Sequence, residues 1–231
     1  MTRPNGFSRI PVSNSTSADG ALTRDHLLGG KITLSQPADG YRVAIDPVLL
    51  AAAVQPRAGA RILDLGCGVG AIALCLLARR PDVRIVGLEL VCDLVEIARR
   101  NASDNNFSDR LEIHQGPVTA PPPEISIGGF DVVVSNPPYL EAGRAIGSPN
   151  TARRTANMES SADLPAWINA AVLALKPKGT LALIHRADRL DHILALLREG
   201  FGEIAIHPLW PNATTPAKRV IIQARKGVSS P

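Results

Sequence analysis

The stretch "ARILDLGCGVGAIALCLLARR", from Ala60 to Arg80, decides the fold. Its first six residues are apolar apart from Arg61 and Asp64, and they run into glycines at alternate positions, Gly66, Gly68 and Gly70. A continuous apolar run from Ala71 to Ala78 follows, closed by Arg79, Arg80 and Pro81. A strand that is nearly all hydrophobic is one covered on both faces, as in a parallel sheet. Glycines let the backbone turn tightly and let a ligand lie against the main chain. Cations suit a helix C-terminus, and proline cannot continue the helix. The stretch therefore reads as strand, glycine turn and helix.

Working outward, apolar runs keep alternating with helical patterns. Strands are expected over 60–65, 83–90, 110–115, 130–135, 179–185, 201–209 and 218–225, and helices over 70–80, 92–103, 162–176 and 188–200. Such alternation implies a mostly parallel seven-stranded α/β sheet with helices on both faces. Only "WPNATTPA" separates the last two runs, too short for a crossover helix, so the final strand is expected to be antiparallel. Upstream, two alternating runs flank Pro37-Ala38-Asp39-Gly40 and read as a hairpin or extended arm. Asp46-Pro47 opens a helix, with Asp46 expected as its N-cap. The expected organisation is a disordered, Ser/Asn/Thr-rich tail over 1–20, an arm and helix over 21–58, and one domain over 59–231.

The 231 residues, 45% of them hydrophobic, suffice for one large core. A net charge of +4 leans mildly toward a polyanionic partner. Cys67, Cys75 and Cys92 lack metal-ligand spacing and read as buried free thiols. His114, His185, His192 and His207 show no ligand spacing either, so no metal is expected. No apolar run is long enough to span a bilayer, and the N-terminus lacks the apolar core of a signal peptide. The expectation is a cytoplasmic protein without membrane contact. Trp167 and Trp210 are expected to serve packing.

Ligands of open α/β sheets bind at the carboxyl ends of strands. There the sequence places Asp64 before the glycines, Glu89, Gly116-Pro117, and Ser135-Asn136-Pro137-Pro138-Tyr139. Gly66, Gly68 and Ala71 also fit the looser dinucleotide pattern. Asp64, however, would repel a pyrophosphate, whereas a carboxylate there suits an ammonium. Glu89 can accept hydrogen bonds from ribose hydroxyls. "ILDLGCGVG" with the following "GLEL" resembles the cofactor motifs of Rossmann-like class I S-adenosylmethionine methyltransferases. That resemblance implies S-adenosyl-L-methionine as cofactor, held by Asp64, Gly66, Gly68, Gly70, Glu89, Leu90, Gly116 and Asn136.

Asn136 and Pro137 suggest the chemistry. The lone pair of an exocyclic amine is delocalised and must rehybridise before it can attack a methyl group. Two acceptors on its two N–H groups favour that change and stabilise the developing charge. Asn136 offers its side-chain oxygen and Pro137 its carbonyl. Each residue precedes a proline, which restricts its backbone. Tyr139 offers a face for a base to stack on, worth about 1–3 kcal/mol. "NPPY" after a Val-rich strand resembles motif IV of amino-methyltransferases, which act on adenine N6, guanine N2 of RNA or glutamine N5 of proteins.

The upstream segment narrows the choice. Gly29, Gly30, Gln36, Pro37, Gly40, Tyr41, Arg42, Asp46, Leu49 and Leu50 match the N-terminal region of the tRNA1(Val) adenine-37 N6-methyltransferase family, which the chain resembles from about residue 22 onward. "LIHRADRL" and "HPLWPNATTPAKRVIIQARKG" also look like that family. Release-factor glutamine methyltransferases share the "NPPY" but carry a helical domain upstream, for which too few residues precede Arg61. The resemblance implies tRNA as partner and adds Tyr41 and Asp46 to the cofactor set. Arg144, Arg153, Arg154, Lys218 and Arg219 are the expected phosphate contacts. One departure stands out. The third strand of this family usually ends in Gly/Ala-Asp, and here it ends in Gly116-Pro117.

Overall fold

The computed structural model describes residues 22–39, 42–125, 127–138 and 163–229. Two strands come first, β1 (Leu22–Leu27) and β2 (Ile32–Pro37), then α1 (Asp46–Ala53). The main alternation follows: β3 (Arg61–Leu65), α2 (Ala71–Arg79), β4 (Arg84–Glu89), α3 (Cys92–Asp104), β5 (Leu111–Gln115) and β6 (Phe130–Ser135). After it come α4 (Leu164–Ala174), β7 (Leu175–Arg186), α5 (Leu190–Leu197), β8 (Phe201–Leu209) and β9 (Arg219–Lys226).

Seven strands form one sheet in the order β5-β4-β3-β6-β7-β9-β8. Strands β3 to β7 are parallel, while β9 runs antiparallel to both its neighbours, as the short β8–β9 connection required. Alternate side chains divide into two cores. Ile62, Ile85, Val132, Val134 and Ile184 pack under α1, α2 and α3. Leu63, Leu65, Val133, Leu181 and Leu183 pack under α4 and α5. Every residue of α2 from Ala71 to Leu77 is buried, which explains why its sequence shows no polar face.

Three local details differ from the sequence-based expectation. The arm is a hairpin, but its turn lies at Leu28–Gly30 rather than at Pro37–Gly40. Gly29 and Gly30 take positive φ, which glycine does cheaply, while Leu28 before them also does so, at 52°. Asp46 is the first residue of α1 rather than a side-chain cap. Finally, α4 stops at Ala174 and β7 begins at once with Leu175. Pro177 bars Lys176 from helical backbone. The Nζ of Lys226, reaching from β9, donates to the carbonyl of Leu175 at 2.7 Å and to that of Val172, satisfying the end of α4.

The arm stands outside the main sheet. Its β2 edge meets Asn101 of α3 and Asn105, which caps that helix, instead of another strand. Asn105 Oδ1 accepts from the Thr33 amide at 2.9 Å, and its Nδ2 donates to the Thr33 carbonyl at 2.7 Å. Asn101 makes the same pair of bonds with Ser35, both at 2.8 Å. One turn apart on the helix, the two amides imitate a strand ladder.

Candidate active site

The carboxyl ends of β3, β4 and β6 meet at one rim. Gly66, Gly68 and Gly70 have φ of 75°, 55° and 86°, values that a side chain would strain. The amides of Gly66 and Cys67 both donate to the Leu88 carbonyl, at 2.8 and 3.0 Å, fastening the loop to β4. A Cβ on Gly68 would meet nothing within 4 Å, so this glycine faces open space. A Cβ on Gly66 would lie 2.3 Å from Cη2 of Trp167, so the indole of α4 presses on the loop where glycine leaves room. Trp167 packs, as its sequence suggested, but it packs on the glycine turn itself.

Asp64 lies just below the loop and is fully buried. No side chain among the described residues donates to either carboxylate oxygen. Burial pushes its pKa up to about 7; the Ala73 amide pulls the other way, and the nearby charge of Glu89 adds to the rise. An orphaned buried carboxylate is costly. It fits a site built to receive a cation.

Glu89 is already engaged. Its Oε2 accepts from the Gly68 amide at 2.8 Å, and its Oε1 from the amides of Leu90 and Val91 at 2.9 and 3.0 Å. A carboxylate has about four acceptor positions. Two ribose hydroxyls would therefore need one of these backbone bonds to yield. The half-buried Leu90 follows directly. At the end of β5, the Gly116 amide donates to the Glu89 carbonyl at 2.9 Å. Pro122 crowds Gly116, where a Cβ would come within 2.9 Å of its Cδ. Pro117 is exposed.

On β6 the register pairs Ser135 with Leu65, and the Ser135 hydroxyl donates to the Leu65 carbonyl at 2.8 Å. Asn136 and Gly66 thus leave the sheet side by side. Pro137 is buried and Pro138 exposed. Tyr41, Tyr139, Arg144, Arg153 and Arg154 lie outside the described residues. Asp46 and Arg219, assigned from sequence to cofactor and RNA respectively, meet each other, with Arg219 Nε donating to Asp46 Oδ2 at 3.0 Å. Lys218 is exposed beside them. Cys67 and Cys75 are buried, whereas Cys92 is exposed at the start of α3. No cluster of metal-ligating side chains occurs among the described residues. No helix among them is long and apolar enough to cross a membrane.

Sequence reasoning missed Asn101. It is fully buried, and besides holding Ser35 it donates from Nδ2 to the Val69 carbonyl at 2.9 Å. One amide thus joins the arm to the glycine loop. The next residue of the arm, Gln36, accepts from the Val43 amide at 2.8 Å and donates to Asp25 at 2.6 Å. The signal was present in the sequence: Asn101 falls on the same helical face as Val95, Ala98 and Ala102.

A glycine turn between β3 and α2, an acid at the end of β4 and an inserted antiparallel last strand define a Rossmann-like class I methyltransferase fold. The chain belongs to the methyltransferase small domain family, whose model matches residues 42–207. It is 38% identical over 169 residues to a tRNA1(Val) (adenine(37)-N6)-methyltransferase of Porphyromonas gingivalis, a match covering 71% of this chain and 66% of that protein. It thus spans just under two thirds of that relative's length. A protein of the same name from Parabacteroides distasonis is 29% identical, with 84% of this chain and 80% of the relative covered. Among solved structures, one described as a predicted O-methyltransferase of Agrobacterium tumefaciens superimposes with a TM-score of 0.66 at 28% identity, covering 80% of this chain and 82% of that one.

Proposed function

We propose that this protein transfers a methyl group from S-adenosyl-L-methionine to an exocyclic amine, the N6 of adenine 37 in tRNA1(Val). The observation that carries the reading is the placement of Asn136-Pro137 one residue beyond Ser135, whose hydroxyl is bonded to the root of the glycine loop. The relatives named for adenine-37 methylation support the choice of amine.

When bound, the cofactor supplies an electrophilic methyl group on a sulfonium. Asp64 and the glycine-loop backbone would hold its amino-acid end, and Glu89 its ribose. Because Asp64 ionises near pH 7, an ammonium beside it would favour the charged carboxylate. Asn136 Oδ1 accepts one N–H of the adenine amine and the Pro137 carbonyl accepts the other. The nitrogen lone pair is thereby directed at the methyl carbon, and the amine sheds one proton to water after transfer. No side-chain base is needed beforehand. A hydroxyl carries only one hydrogen, so a pair of acceptors suits an amine better than the oxygen nucleophile in the Agrobacterium protein's name.

Incubation of the full chain with labelled S-adenosylmethionine and unmodified tRNA, followed by mass spectrometry of the nucleosides, tests the proposal. The expected product is N6-methyladenosine at position 37. Label in protein glutamine, or in 2-methylguanosine, would refute the assignment of the amine.

A further inference from the structure

The chain has few aromatic residues, and most of those described are covered. Phe130 and Phe201 are buried. Phe107 and Trp167 are half-buried. Trp210 is 61% exposed, against the expectation that it packs. An indole left in water forfeits the burial that aromatic side chains normally gain.

Its position gives it a use. Strand β8 is antiparallel to β9, which is antiparallel to β7, so β8 ends at the same rim as β6. Register sets the height. Leu209 pairs with Arg219, Arg219 with Arg186, and Ser135 with Leu183. Trp210 therefore emerges three residues above the level of Asn136, about 10 Å, and three strand spacings, about 14 Å, to the side. The separation is about 17 Å, or about five stacked nucleotides at ~3.4 Å each.

The loop that carries the indole is held at several points. Asn212 Oδ1 accepts from the Thr214 amide and hydroxyl, both at 3.0 Å, and from the Thr215 amide at 2.9 Å. The Lys218 amide donates to the Leu209 carbonyl, and the Lys218 carbonyl accepts from the Ala187 amide, both at 3.2 Å. The Arg219–Asp46 pair anchors the base of the loop to α1. The Lys218 side chain is exposed at the far end of the same loop. A flat apolar face and a cation on one fixed loop, beside a site for an unpaired adenine, match the pattern by which proteins hold single-stranded nucleic acid.

We propose that Trp210 is a stacking platform for an unpaired base a few nucleotides from the target adenine, with Lys218 meeting a phosphate of the same strand. The proposal rests on reading the protein as an RNA methyltransferase. Its test uses the full chain, the variants Trp210→Ala, Trp210→Phe and Lys218→Ala, and an anticodon stem-loop RNA. Trp210→Ala should raise the KM for RNA about tenfold, within the range for loss of one stacked base. Its kcat at saturating RNA and its affinity for S-adenosylhomocysteine should stay within about twofold, and Trp210→Phe should restore most of the KM. Lys218→Ala should reduce the salt slope of RNA binding by about one. A second readout does not depend on turnover. The chain has only two tryptophans, so in a Trp167→Phe background the RNA should quench the fluorescence of Trp210. Wild-type methylation with an unchanged KM in Trp210→Ala and no quenching would overturn this proposal alone. An unchanged KM together with loss of self-association in Trp210→Ala would assign the indole to a second copy of the chain and also overturn it. If the wild-type chain neither binds nor methylates RNA, the underlying functional reading fails and the platform fails with it.

Discussion

Two aspartates on adjacent strands meet opposite fates. Asp131 is the second residue of β6, at the end of the sheet away from the glycine loop, where it accepts from the Arg61 amide at 2.9 Å, Lys176 at 3.0 Å and Arg57 at 2.6 Å. Burial alone would raise its pKa, but these three donors outweigh that and hold it below the usual value. Asp64, near the glycine loop, is more deeply buried, and no side chain among the described residues donates to it. One end of the sheet satisfies its carboxylate with side chains of the same protein, while the other end does not. A charge left uncompensated in a native fold marks a functional site more sharply than a charge that is well paired.

The contrast can be broken by substitution. Asn136→Ala acts where the amine is proposed to bind and should lower kcat by about 10²–10³, the usual effect of losing one preorganised group at a developing charge; single-turnover methyl transfer to tRNA measures it. Asp64→Asn should make the ligand-free protein more stable at pH 8 by up to about 4 kcal/mol, from a shift between 3.8 and about 7. The sign follows from proton binding. Between those pH values the native state holds a proton that the unfolded chain has lost, so wild-type stability falls as pH rises toward 7. Below about pH 4 both states are protonated and the advantage of the variant should vanish. Urea titrations from pH 4 to 8 provide the check.

Asn101→Ala should cost about 3 kcal/mol, because it leaves buried groups of Ser35 and Val69 without partners. It should also weaken S-adenosylhomocysteine binding, whereas Asn105→Ala, which touches only Thr33 and its own helix, should lower stability without that effect. Equal loss of affinity in both variants would show that Asn101 has no particular hold on the glycine loop. Asp131→Ala, the smallest of these effects, should cost about 2 kcal/mol near neutral pH with cofactor affinity unchanged. Its folded pKa is depressed, so the stabilisation is present above about pH 4 and is lost as pH falls below it.

Most of the sheet was legible in the sequence because doubly covered strands are written as apolar runs. The range 130–135 reads as a strand from Phe130-Asp-Val-Val-Val-Ser135 alone, and β6 has those bounds. The glycine turn between β3 and α2 and the acid at the end of β4 were legible because glycines and a charge close those apolar runs. What was not legible depends on contacts distant in the chain. Asp46 and Arg219 are 173 residues apart, and no local pattern pairs them. Trp210 looked like a core residue because large apolar side chains usually are, and only the end of β8 puts it in solvent. The hairpin turn was misplaced because Pro-Ala-Asp-Gly is a strong turn signal, yet the chain reverses at Leu28–Gly30, where Gly29 and Gly30 take positive φ easily.

The most direct test is calorimetry of S-adenosylhomocysteine binding to the wild-type chain and to Asp64→Asn from pH 6 to pH 8. If the orphaned carboxylate faces the ligand's ammonium, wild-type affinity rises with pH as Asp64 ionises near 7, and the variant binds more weakly with no such rise. Equal affinity of the two proteins across that range would contradict it.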